Sequence, residues 1–388
     1  MKILIAADSF KDALPAQQVC AAIADGVKQV QPDAEVVIFP LTDGGEGLAE
    51  VFAHHLGGIP VHLNAYDPLG RDVQCTYILS ANGDKAFIEM AQASGLQRLS
   101  EEERNPMLTS TYGTGQMIAH ALDSGVRHIL LGLGGSATND AGMGMAAALG
   151  FEFHTAKGKE LLPRGESLIA IEKIEIGNAH PALAETRFEV LCDVKNPLYG
   201  KMGAAYVFGP QKGANASMVE RLDLGLQQFG GLLKKTFGQD FASPPGAGAA
   251  GGMGAACLAF LKGQLFPGID AVMNLTNFDA ALEGADLVFT GEGRLDSQTL
   301  GGKLIRGICT RATQHGVPTI ALCGAVDADQ TFLDLIGLKA AFAIGRKVQI
   351  FDDALASTEE NLRFVAEQVM RVLSVGYKEY PVVDLKVG

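Results

Sequence analysis

Lys2-Ile3-Leu4-Ile5-Ala6-Ala7-Asp8-Ser9-Phe10-Lys11 decides the fold. Its apolar part, Lys2 to Ala7, reads as a short buried strand, and it runs straight into a polar loop. Pro15 then stands where a helix begins, and Val19, Ile23, Val27 and Val30 return about once per turn. A second apolar run, Val36 to Phe39, ends in Pro40-Leu41-Thr42-Asp43-Gly44-Gly45-Glu46-Gly47 and leads to another helix. Strand, helix, strand, helix is the grammar of a parallel sheet covered by helices.

The same grammar returns only near the other end. Asp286 to Thr290, Pro318 to Cys323 and Ala341 to Ile344 read as strands, with helices over Leu300 to His315 and Thr358 to Leu373. A doubly wound sheet needs about five strands, and the first sixty residues supply two. The economical reading is one discontinuous α/β domain, residues 1–65 plus 285–388, with a second mixed α/β domain inserted at 66–284. Two sequential domains dividing near residue 200 is the competing arrangement. A length of 388 residues exceeds what one core usually organises, so either arrangement has two domains.

The inserted part has its own pattern. Pro60 to Glu89 holds several extended stretches punctuated by Pro68-Leu69-Gly70 and by Asn82-Gly83-Asp84, a good hairpin turn. A helix over Tyr112 to Leu122 leads into a strand at His128 to Leu133, then a Gly-rich turn and a small-residue helix. A further strand, Phe188 to Cys192, precedes a long loop and a helix carrying Leu222, Leu226, Phe229 and Leu233 on one stripe.

Composition narrows the function classes. A net charge of −13 with no dense basic stripe argues against nucleic acid and anionic membranes as partners. Six dispersed cysteines without a CxxC pair point away from zinc knuckles and disulfide scaffolds, and toward a reducing compartment. The start lacks the features of a signal peptide, and no apolar stretch approaches the length of a membrane span. These observations imply a cytoplasmic protein, a monomer or homodimer, acting on small molecules.

Four loops repeat one form, in which an apolar strand opens into glycine-rich sequence with carboxylates. They are Asp8-Ser9-Phe10-Lys11, Asp43-Gly44-Gly45-Glu46-Gly47, Gly134-Gly135-Ser136-Ala137-Thr138-Asn139-Asp140 and Gly291-Glu292-Gly293-Arg294-Leu295-Asp296. Loops at the carboxyl ends of parallel strands converge on the active face of such a sheet. Each also has a plain structural reading, since a lone aspartate at a strand end caps a helix or closes a turn. In the third loop, two glycines, two hydroxyls and an amide ahead of a helix form a phosphate nest. Lys303, seven residues past Asp296, is a compact cation suited to phosphate. Asp193, followed by Asn196, is a pair that can bind Mg²⁺ through carboxylate and water, or simply cap a turn. Neither a G-x-x-x-x-G-K-[ST] loop nor a clean dinucleotide fingerprint is present. Glycine-rich loops, carboxylates and a few cations suit phosphoryl transfer, which depends on positioning and charge neutralisation. Pro244 to Gly254, with five glycines, reads as a flexible loop running into a packed helix.

KILIAADSFKDAL, PLTDGGEGLAE, YGTGQMIAHALDSG, GLGGSATNDAGMGMAAALG, CDVKNPLYGKMGAAYVFGPQKGA, GAGAAGGMGAA and TGEGRLDSQTLGGK together resemble the bacterial type I glycerate kinases, in the family's order and across essentially the whole chain. The resemblance implies a flavodoxin-like domain plus a second α/β domain, ATP and D-glycerate as substrates, Mg²⁺ as the metal, and phosphorylation at the 2-hydroxyl. A kinase of another small sugar acid or hydroxy acid, or one giving 3-phosphoglycerate, is the alternative. Placed on that chemistry, Gly134, Gly135, Ser136, Thr138, Asn139 and Lys303 are expected along the triphosphate. Asp8, Lys11, Glu292 and Arg294 are expected at the glycerate, and Asp193 and Asp296 at the metal. Asp193, Asp296, Lys303 and Asp43 are the expected catalytic set, with the division of base and metal ligand left open.

Overall fold

The computed structural model describes residues 1–42, 48–296 and 304–375. It separates into two compact units, one formed by Met1–Leu41 with Asn277–Gly388 and the other by Thr42–Thr276.

The first unit contains a five-stranded parallel sheet in the order Ala340–Ala343, Thr319–Cys323, Leu287–Thr290, Lys2–Ile5, Glu35–Ile38. Numbered within the unit this is the flavodoxin-like order 2-1-3-4-5 read from its other edge. Alternate side chains feed opposite faces, as a pleated strand requires. Ile320 and Leu322 join Ile3, Ile5 and Phe289 in one buried cluster, whereas Ala321 and Cys323 join Ile305, Cys309 and Leu333 in another. Helices Ala16–Val30 and Thr358–Val375 cover the first face. They approach closely at Gly26, where an added Cβ would lie 2.2 Å from Arg363 O.

The second unit is built on a six-stranded sheet, Gln264–Phe266, Arg187–Leu191, His128–Gly132, Lys85–Glu89, Asp72–Leu79, Ile59–Tyr66. The first four strands are parallel and the last two antiparallel. The sequence reading ended the first segment at residue 65 and began the last at 285. In the structure Ile59–Tyr66 belongs wholly to the second unit, because it pairs with Asp72–Leu79 from Ile59↔Leu79 to Tyr66↔Asp72. Buried Asp67 holds that hairpin together, accepting from Leu69 N, Arg71 N and Arg71 Nε. The helix Leu48–Leu56 joins the same unit, with Phe52 stacked on Phe87 at 4.0 Å.

The glycine-rich stretch read as flexible is a packing device. Helix Ala249–Phe260 opens on Ala250, Gly251 and Gly252, whose φ values are 51°, 72° and 95°. A Cβ on Gly251 would lie 2.1 Å from Thr138 O, and one on Gly248 2.2 Å from Pro197 O. Gly251→Ala is therefore expected to lower stability by about 2–5 kcal/mol, combining overpacking with the left-handed backbone. Gly231, exposed on helix Ala216–Phe237 with nothing within 4 Å of its Cβ direction, is the control. Gly231→Ala is expected to raise stability by about 0.5–1 kcal/mol. Thermal unfolding of both variants checks the pair, and equal shifts in one direction would contradict it.

All six cysteines are unpaired, and five are buried. Burial pushes the thiols of Cys20, Cys309 and Cys323 up to about 12, which leaves them inert packing groups. Among the described residues, no helix is long and apolar enough to cross a membrane.

Candidate active site

In the second unit, strands His128–Gly132 and Arg187–Leu191 run side by side, with Gly132 opposite Leu191. The Gly134–Asp140 turn and the Asp193 loop thus leave the same carboxyl edge, where ligands of parallel sheets bind. Gly134 and Gly135 are exposed, while Ser136, Thr138, Asn139 and Asp140 are buried.

The turn is not a bare helix N-terminus. Helix Met143–Ala148 starts late, after Ala141 and Gly142 in left-handed conformation (φ 53° and 69°). Its first amides are already used, since Asp140 accepts from Gly142 N at 3.1 Å and from Gly144 N at 3.1 Å. The same carboxylate accepts from Thr111 N and Thr111 Oγ1 at 2.8 and 2.9 Å. Burial raises the Asp140 pKa, and these four donors oppose that shift. Ala137 N is also taken, donating to Ser94 O. Asp140 thus holds the amides at the start of the helix, and what the expected nest still offers is its two glycines, two hydroxyls and the Asn139 amide.

What the turn retains are side chains. Thr138 and Asn139 are fully buried, yet Thr138 Oγ1 and both polar atoms of the Asn139 carboxamide have no hydrogen-bond partner among the described residues. A buried polar group left unpaired costs about 1–3 kcal/mol, and three such atoms in two adjacent residues mark a place where a polar ligand contributes most. Two of the three, Thr138 Oγ1 and Asn139 Nδ2, are donors, the kind of group a phosphate chain accepts from.

One functional group escaped the sequence reading. Lys212 is 2% exposed, and its ammonium donates to Ser136 Oγ and to Thr138 O, both at 2.7 Å. Desolvation pulls its pKa from the ordinary 10.5 down to about 7, with the Asp140 charge opposing. Packing alone would be served by methionine or leucine without that cost. Its neighbour Gly213 turns the chain at φ 94° against Arg104 O. The signal in the sequence was its place in the motif CDVKNPLYGKMGAAYVFGPQKGA, within Gly209-Pro210-Gln211-Lys212-Gly213.

Asp193 is anchored rather than dangling: its Oδ1 accepts from Gly268 N at 2.8 Å, at the start of helix Gly268–Leu275. Asn196 donates to Met202 O at 2.7 Å. Among the described residues, no group of three or more His, Cys, Asp or Glu side chains forms a metal cage. Mg²⁺ in phosphoryl transfer commonly takes only one or two carboxylates, with phosphate and water as the remaining ligands, a demand that a single carboxylate such as Asp193 in the second unit, or Asp296 in the first, meets in kind.

In the first unit the other candidates gather on adjacent strands. Asp8 N donates to Gly291 O at 3.0 Å, which brings the two loops together. Ser9 N donates to Asp8 Oδ1 at 2.7 Å, and Lys11 is exposed. Glu292 is buried. Arg294 is exposed and bridges two carboxylates, Asp296 at 3.2 Å and Asp327 at 3.0 Å. Two residues expected in separate roles, Arg294 and Asp296, are therefore an ion pair. Gly291 serves the sheet, since a Cβ there would meet Leu322 O at 2.3 Å. Asp43 and Lys303 lie outside the described residues.

The geometry can be set beside known proteins. The sequence profile of the Glycerate kinase family matches residues 3–374. A glycerate kinase of Bacillus cereus is 43% identical over 380 residues, 98% of this chain and 100% of the relative. The glycerate 2-kinase of Escherichia coli K12 is 40% identical over 378 residues, 97% of this chain and 99% of the relative. A crystal structure from Salmonella typhimurium LT2, provisionally described as a glycerate kinase 2, superposes with a TM-score of 0.88 at 43% identity, covering 97% of this chain and 99% of that one. This chain belongs to the glycerate kinase family and is an enzyme of it.

Proposed function

We propose that the enzyme transfers the terminal phosphoryl group of ATP to the 2-hydroxyl of D-glycerate, giving 2-phosphoglycerate and ADP. The observation that carries this is near-complete alignment with relatives called glycerate kinase, one of them a glycerate 2-kinase. When bound, Mg²⁺ neutralises charge on the phosphates. Asp193, with Asp296 as the alternative, is the residue that would hold it. Thr138, Asn139, Ser136, Gly134, Gly135 and Lys303 line the phosphate chain in this reading. Asp8, Lys11, Glu292 and Arg294 orient the glycerate, with Arg294 turning part of its five-donor fork to the carboxylate. The carboxylate of Asp296, or that of Asp193 or Asp43, orients the attacking hydroxyl and takes its proton.

The test is product identity. Incubation with ATP, Mg²⁺ and D-glycerate is expected to yield a product that enolase consumes at once, and glycerol, which lacks the carboxylate, is expected to be a poor substrate. A requirement for phosphoglycerate mutase before enolase responds would assign the 3-phosphate instead. Equal turnover of glycerol would remove the carboxylate site.

A further inference from the structure

We propose that Lys212 is the positioning residue of the Gly134–Asp140 turn, holding it in the shape that presents Thr138 and Asn139 to the phosphate chain of the nucleotide. The proposal rests on the functional reading above and deepens it at one place in the site.

The Thr138 carbonyl is held from two directions. The Lys212 ammonium donates to it at 2.7 Å, and the Gly251 backbone lies so close that a Cβ there would be 2.1 Å away. Three residues on, the chain is pinned again: Ala141 N donates to Gly251 O at 3.0 Å. Both Ala141 and Ala250 take left-handed φ, 53° and 51°, a conformation that costs an alanine about 1–2 kcal/mol. Such strain persists only where surrounding contacts over-determine the backbone. Asp140 supplies one set of these contacts through its four donors. Lys212 supplies the other, and it reaches the turn from a segment more than seventy residues away in sequence.

The ammonium also fixes a side chain. Its second bond, to Ser136 Oγ, sets the hydroxyl beside the exposed glycines of the turn. With Ser136 and the Thr138 carbonyl occupied by Lys212, and Asp140 occupied by helix amides, the unpartnered atoms are Thr138 Oγ1 and the Asn139 carboxamide. Of these, Thr138 Oγ1 and Asn139 Nδ2 are neutral donors of the kind that phosphoryl oxygens accept, whereas Asn139 Oδ1 is an acceptor and needs a donor from elsewhere. Lys212 is buried and spends its bonds on the turn, so it acts through its neighbours.

Steady-state kinetics of Lys212→Met, Ser136→Ala and the double variant test this, with ATP and D-glycerate varied separately and thermal unfolding followed throughout. Lys212→Met is expected to raise KM for ATP about 10–100-fold, the scale of losing charge-assisted bonds, while KM for D-glycerate stays within about threefold. Ser136→Ala is expected to raise KM for ATP as well, and the double variant to match Lys212→Met, because both changes release one network. A folded Lys212→Met with normal KM for ATP would overturn the proposal, as would a rise confined to D-glycerate. Multiplying effects in the double variant would also overturn it, since the lysine would then be touching ligand itself. If Lys212→Met does not fold, Ser136→Ala decides, and an unchanged KM for ATP counts against the network. A wild type that gains thermal stability with ATP yet phosphorylates no glycerate would end the functional reading alone. The ATP-induced stabilisation, expected to vanish in Lys212→Met, would still test the lysine.

Discussion

Asp296→Asn is expected to lower turnover by about 10²–10⁴-fold, the range for losing a positioned proton acceptor, with the fold intact. The substitution keeps the side chain's size, and Asp296 is partly exposed at the end of a two-residue strand. Among the interactions it touches is the ion pair with Arg294, which is 63% exposed and keeps Asp327 as its other partner. Exposed pairs contribute about 0–1 kcal/mol, so stability should barely change and the loss would belong to chemistry. Two profiles then separate the roles. A metal ligand gives a variant whose activity needs more Mg²⁺, whereas a base gives normal Mg²⁺ dependence and a lost acidic limb in the pH–rate profile. The neighbouring guanidinium sets up a further contrast: Arg294→Ala would raise KM for D-glycerate if Arg294 binds the carboxylate, and would change only kcat if it merely orients Asp296. An Asp296→Asn variant within threefold of wild-type turnover would show that the loop is structural.

Much of the architecture was legible because strands buried on both faces read as continuous apolar runs. Lys2–Ile5, Leu287–Thr290 and Thr319–Cys323 are of that kind, and their separation in sequence exposed the discontinuous unit. The boundary at residue 65 was set too late because Ile59–Tyr66 alternates weakly, and only its partner strand shows which sheet it joins. The site was legible as polar loops following apolar strands. What those loops do with their polar groups was not. Asp140 reads as one more carboxylate, and only folding brings Thr111 to it and makes it the acceptor for the helix amides. Lys212 reads as solvated because its burial depends on Ser136 and Thr138. The glycines of residues 246–254 suggested flexibility, whereas close backbone approach to Thr138 and Pro197 is what excludes a side chain there.

Lys303→Ala is expected to lower turnover about 10²–10³-fold, the effect of losing one donor aimed at developing transition-state charge. That corresponds to roughly 3–4 kcal/mol, against a few tenths for a solvated lysine. In the sequence Lys303 follows Gly301-Gly302 and directly precedes Leu304, where the helix Leu304–Gln314 opens. That helix follows the strand Leu287–Thr290, whose carboxyl end also bears Glu292, Arg294 and Asp296. A mobile stem with a point charge can track a phosphoryl group as its charge changes. Lys212 cannot do so, being buried and committed to the turn. The two lysines should therefore fail differently. Loss of Lys303 should fall mainly on kcat and leave KM for ATP within about threefold, because the interaction it provides strengthens only at the transition state. Loss of Lys212 should fall mainly on KM for ATP. Lys303→Arg should recover little, since a planar fork does not reproduce the compact ammonium. Steady-state kinetics of the three variants, with circular dichroism to confirm folding, measures this division. If Lys303→Ala and Lys212→Met show the same split between kcat and KM, the division of roles is wrong and both lysines serve ground-state binding.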